Sequence, residues 1–124
     1  MITKTCQHIN LDYLDMMTDG DGEMRDTMLG MLMDELPAEV SKMRPLLTDS
    51  NWGELREVSH KLKSTLAFIG NDVMTEANKE IELLTKNGQA SFQRIAALLT
   101  IIENQLSGVL DELRESTGSR ARAH

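Results

Sequence analysis

Ser59-His60-Lys61-Leu62-Lys63-Ser64-Thr65-Leu66-Ala67-Phe68-Ile69-Gly70 is the stretch from which the rest of the chain can be read. Wound at about 100° per residue, Leu55, Val58, Leu62, Leu66 and Ile69 fall within roughly 40° of one line, which predicts a helix with those residues as its buried face. His60 falls roughly 160° from that line and faces water. Ser64 and Ala67, one and two turns further on, leave a clearing of small side chains beside it. Lys63 follows the histidine by three residues, close enough on a helix surface for its ammonium to reach whatever the imidazole carries.

A single exposed histidine is ordinarily just surface. Its chemical interest is that an unperturbed imidazole is partly neutral and nucleophilic near neutral pH, and that histidine forms covalent intermediates. The surrounding string narrows the reading. His60-Lys61-Leu62-Lys63-Ser64-Thr65, with Gly70 closing the helix, resembles the histidine-containing phosphotransfer (HPt) domain, whose signature runs His-x-x-Lys-Gly, then small residues, then a helix-ending Gly.

That resemblance implies a helical bundle whose exposed histidine relays phosphoryl groups between receiver-domain aspartates. It makes His60 the acceptor and donor, through the Nε2 nitrogen, and Lys63 the cation that stabilises the added charge. Ser64 and Ala67 would keep the approach open. Thr65 and Gly70 would be structural members of the motif. Arg56 and Lys61, basic residues flanking His60 on an acidic protein, would meet the docked receiver. The implied partners are response-regulator receivers, a hybrid sensor histidine kinase, or both. No cofactor is expected on this chain, and the Mg²⁺ that drives transfer would sit on the receiver. Ser64 stands where the family usually has Gly. That departure keeps open a second reading, an HPt-like module that binds a receiver or another helical partner without transfer.

Composition sets outer limits. A chain of 124 residues with 40% hydrophobic residues, only 3% aromatic and nine Met points to an all-α protein. The patterns below predict an antiparallel four-helix bundle with a short extra N-terminal helix, in one domain spanning 1–124. Its core would cover about residues 10–113, with 1–9 and 116–124 as loose ends. Cys6 is the one cysteine, so neither an intrachain disulfide nor a cysteine-based zinc site is available. The net charge of −7 opposes nucleic acid as a partner. No apolar run approaches the roughly 20 residues of a membrane span, and the start lacks the apolar core of a signal peptide, so a cytoplasmic monomer is expected. There is no Walker-type phosphate loop and no kinase signature. The chain therefore reads as a phosphoryl carrier without autonomous kinase activity.

Along the chain, Leu11, Tyr13 and Leu14 mark a short helix ending near Thr18. Asp19-Gly20-Asp21-Gly22-Glu23 invites a calcium-loop reading, but the sixth and twelfth positions are Met24 and Gly30 where that loop needs Gly and Glu. It reads better as a turn whose acids cap the next helix. Met24, Met28, Met31, Leu32, Leu36, Val40, Met43 and Leu47 pattern a long second helix as core, with a kink or break expected ahead of Pro37 and Pro45 near its end. Asn51 and Glu54 have capping-box character for the helix that carries His60, with Asp49 and Ser50 as rival caps. Gly70-Asn71-Asp72 stops that helix and starts another, patterned by Val73, Met74, Ala77, Ile81 and Leu84 and ending at Asn87-Gly88. Phe92, Ile95, Leu98, Leu99, Ile102, Leu106, Val109, Leu110 and Leu113 pattern a long fifth, softened at Gly108. Glu57 and His60 also have the Glu-x-x-His spacing of di-iron bundles. No second such pair exists, since neither His8 nor His124 is preceded by Glu at that spacing, and no metal site is expected.

Overall fold

Short-range chemistry fixes where the helices begin. The side chains of Asp21, Asn51 and Asn71 each accept a hydrogen bond from the backbone N–H three residues on, at Met24, Glu54 and Met74, satisfying donors that a helix start leaves orphaned. Five helices follow among the residues that the computed structural model describes, which are 7–88 and 90–122, with side chains through 117. They are α1 (Asp12–Thr18), α2 (Gly22–Thr48), α3 (Trp52–Ile69), α4 (Asp72–Lys86) and α5 (Phe92–Arg122). No strand occurs among the described residues.

The helices bury their apolar stripes against one another. α2 packs on α3 and α5, α4 packs on the same two, and α1 leans on α2 and α3. Leu36, Met43, Leu62, Ile69, Ile81 and Ile95 are among the fully enclosed side chains of the shared core. Such burial is worth about 1.5–3 kcal/mol per large apolar side chain.

α2 runs through Pro37 without the expected break, and Pro45 lies within its last turn. Pro37 deletes one helical donor, but Leu32 and Leu36 before it and Val40 and Met43 after it are buried in the same core. That common burial holds the two halves in one helix. The apolar pattern overstates the core at its edges. Met24 is 49% exposed, Met31 51% and Phe92 49%, and Val58 is only half-buried. Leu29, absent from the expected stripe, is fully buried. Leu29 and Leu36 each follow Met24 and Met31 by five residues, about 140° around the helix, so the leucines take the buried face and the methionines are left on the exposed one.

The expected loose ends need correction. Residues 1–6 lie outside the described part, but residues 7–10 are tied down. Glu112 on α5 accepts hydrogen bonds from the backbone N–H groups of Gln7, His8 and Ile9 and from the Nδ1 of His8 at 2.6 Å. Asn10 N–H donates to Ile69 O at 2.9 Å, and Ile9 is buried. The Glu112 carboxyl is pushed up by burial, but the bonds and charge of His8 and the N–H of Gln7 outweigh that and hold it below its ordinary range. Gly108, read as a weak point of α5, has a steric purpose. A Cβ there would lie 2.6–2.7 Å from three atoms of the His8 ring. At the other end α5 continues as helix through Arg122, where a frayed tail from 116 was expected; residues 123 and 124 lie outside the described part.

Candidate functional site

α3 lies between two helices, and its flanks differ accordingly. On the α2 flank Thr65 is buried and its hydroxyl donates to Glu39 Oε1 at 3.0 Å. On the α4 flank Ser59 is fully buried and its hydroxyl reaches Asn78 Oδ1 at 2.7 Å. The buried arc of α3 is therefore wider than its apolar stripe, and it ends in a hydroxyl on each side. His60 stands opposite that arc with its side chain 69% exposed.

The imidazole is not alone. Its Nδ1 lies 2.7 Å from Oε2 of Glu82 on α4, and Lys63 Nζ lies 3.8 Å from the other oxygen of the same carboxylate. The reason the two meet is geometric. α3 and α4 are joined across Gly70 and Asn71 and lie side by side in opposite directions. Helical side chains lean toward the N-terminus of their own helix, so His60 and Glu82 lean toward each other. Glu82 is drawn below its ordinary pKa first by the hydrogen bond from His60, against the opposing effect of burial, with the charges of Lys63, His60 and Lys86 adding. An ionised carboxylate can only accept, so the hydrogen sits on Nδ1. In the neutral form of that ring the lone pair is on Nε2.

Beside the ring is an open depression of about 370 Å³ lined by Arg56, Glu57, His60, Glu82 and Lys86. Arg56 and Lys86 bring two cations to this hollow and Glu57 and Glu82 two carboxylates, so its lining carries balanced charge around the imidazole. Ser64 and Ala67 are exposed as expected. Ser64 also borders a second, smaller hollow of about 130 Å³ with Met28, Met31, Leu32, Glu35, Thr65 and Phe68, a mostly apolar surface one turn beyond His60. Lys61 is exposed but does not line the depression, because it falls on the α2 flank of α3, across the helix from Lys63. Gly70 ends α3 at φ 71° and ψ 32°, a left-handed conformation suited to glycine, and a Cβ there would run into the carbonyl oxygen of Asn10.

Glu82 and Lys86 are the members of this site that the sequence did not disclose. On α4 the acids Glu76, Glu80 and Glu82 all stand outside the apolar stripe, and no local pattern says which one faces another helix. Among the described residues no group of three metal-ligating side chains comes together, and no helix is long and apolar enough to cross a membrane.

Comparison with known proteins accords with this geometry. The family model of the Hpt domain matches residues 27–116. The fold is similar to the crystal structure of the HPT domain from the Hpt sensor hybrid histidine kinase from Shewanella, with a TM-score of 0.75 and 21% identity over 90% of this chain and 94% of that one. No curated protein sequence matches the chain.

Proposed function

Given that the chain belongs to the Hpt domain family, we propose that His60 accepts a phosphoryl group from a receiver-domain aspartate and passes it to the aspartate of another receiver. The single observation that supports this reading is the His60–Glu82 contact, which holds the ring by Nδ1 and so makes Nε2 the nucleophilic nitrogen of the neutral imidazole. Nε2 attacks the phosphorus of the aspartyl phosphate, the bond from phosphorus to the aspartate oxygen breaks, and the aspartate leaves as a carboxylate. The Nδ1 hydrogen stays on the ring, held by Glu82. Transfer onward is the same step reversed on a second receiver.

Phosphorylation adds negative charge near Nε2. Lys63 offsets part of it, and Arg56 and Lys86 stand at the rim of the hollow where the phosphoryl oxygens would lie. Glu82 has the opposite effect through its own charge, while stabilising the Nδ1–H form of the phosphorylated ring. The receiver supplies Mg²⁺ and its acidic residues, and this chain carries the group without making it. The apolar hollow at Ser64, Met28, Met31 and Phe68 is suited to the receiver's surface, with Met side chains adaptable to more than one partner. In this reading the four longer helices form an antiparallel bundle, 1–124 is one domain, and the protein works as a cytoplasmic monomer alongside receivers or a hybrid sensor kinase.

A second reading, docking without transfer, is favoured by one observation, Ser64 in the place usually held by glycine. Incubating the protein with a radiolabelled phospho-receiver separates the two. Acid-labile, alkali-stable label on His60 is expected; a stable complex that never acquires label would establish the second reading instead.

A further inference from the structure

Beneath the His60–Glu82 contact, the buried side chains that α3 and α4 share include one polar pair. Leu55, Leu62, Met74 and Ile81 are fully buried there, and among them Ser59 and Asn78 are 0% and 2% exposed. Their polar atoms are matched. Ser59 Oγ donates to Asn78 Oδ1 at 2.7 Å and lies 3.1 Å from Asn78 O, while Asn78 Nδ2 donates to Ser59 O at 2.9 Å.

Apolar contact alone is a weak guide to register, because a helix can slide by a residue or a turn and still find hydrocarbon. A buried amide is a strong one, because any other register leaves its donors and acceptors unpaired in a medium that cannot replace them. A single buried Asn fixes register in paired helices elsewhere for this reason. The position of this pair gives the device a purpose beyond packing. Ser59 is the residue before His60, and Asn78 lies one turn before Glu82 on α4. A slip of one residue would move Glu82 by about 1.5 Å along α4 and 100° around it, out of reach of the imidazole.

We infer that Ser59 and Asn78 form a positioning pair whose buried hydrogen bonds set the register of α4 against α3 at which Glu82 meets the His60 ring. Its effect on transfer rests on the phosphoryl-carrier reading above, but its effect on the imidazole does not. Neither residue touches the reacting nitrogen. They act through Glu82, by fixing which ring nitrogen carries the hydrogen.

The test uses the full chain with Ser59→Ala/Asn78→Leu, and reads the ¹⁵N shifts of the His60 ring, the melting temperature and the rate of transfer from a phospho-receiver. Replacing both partners by apolar groups is near neutral for stability, so the melting temperature should hold or rise. The ring should nonetheless lose its single Nδ1–H form and become a mixture of tautomers, transfer should fall about tenfold, and adding Glu82→Ala should change neither reading further. A variant that keeps the parent ring spectrum, with Glu82→Ala still altering it, overturns the inference and leaves the pair a packing feature. If the double variant does not fold, Asn78→Ala, which removes both bonds of the amide and leaves only the Ser59 hydroxyl on the backbone carbonyl of residue 78, is judged by the same spectrum. A parent protein that never takes label would defeat the carrier reading, and the ring spectrum would still decide the register.

Discussion

Nδ1 of His60 and Oε2 of Glu82 stand 2.7 Å apart across twenty-two residues of sequence. The contact turns an exposed imidazole into an oriented one. Neither residue is deeply buried, so the pair adds little to stability, about 0–1 kcal/mol by analogy with other surface ion pairs. Its consequence is chemical, since a carboxylate on one ring nitrogen determines that the other is the nucleophile.

Glu82→Gln and Glu82→Ala separate the two parts of that consequence. A glutamine carbonyl still accepts from Nδ1–H, so Gln should hold the ring and keep transfer within about threefold of the parent, while Ala should cost about tenfold, or 1.4 kcal/mol. Transfer kinetics with one phospho-receiver measure both. Equal rates for parent and Ala would remove Glu82 from the mechanism.

His60→Gln should fold normally and accept no label. The side chain is 69% exposed and lies opposite the core, so the melting temperature should reflect a change of no more than about 0.5 kcal/mol. Label found on His8 in the variant would reassign the acceptor.

Lys63→Ala should slow transfer without abolishing it. A cation about 5 Å from the phosphoryl group contributes roughly 1 kcal/mol in water-like surroundings and about 3 at an effective dielectric near 20. Because Lys63 already shares Glu82 with His60 and is exposed, the lower figure applies, a loss of about fivefold that should shrink as salt is added. A rate unchanged at low salt would count against any role.

Ser64 tests the approach. Ser64→Gly should keep or raise the transfer rate while weakening the helix by a few tenths of a kcal/mol. Ser64→Leu should hold or raise the melting temperature, yet lower receiver affinity and transfer together by about tenfold. A Leu variant as fast as the parent would place position 64 outside the docked interface.

Acid should loosen the N-terminal segment before the core. Glu112 is held below its ordinary pKa in the folded protein, so its contribution is present above the unfolded value and is lost as pH falls through the folded one. Glu112→Gln should flatten that acid limb of the stability curve. Gly108→Ala should displace His8 from the carboxylate at any pH, exposing the amides of residues 7–9 to faster hydrogen exchange at a cost of about 1–3 kcal/mol. Unchanged exchange in the Ala variant would mean the segment is held without that contact.

The amino-acid sequence by itself determined the helices, their caps at Asp21, Asn51 and Asn71, the left-handed stop at Gly70, and the placement of His60 opposite an apolar stripe, because each of these depends on residues within a turn or two of one another. Tertiary structure alone decided the rest. Helical periodicity is blind to which neighbour covers a flank, so it could not show that Ser59 and Thr65 would be buried, or that Met24 and Phe92 would stay in water. Nor could it pick Glu82 from the acids of α4, or tell that Gly108 makes room for a histidine a hundred residues earlier. Those outcomes depend on how whole helices are set against each other, and that setting follows from the shapes and hydrogen bonds of surfaces far apart in the chain.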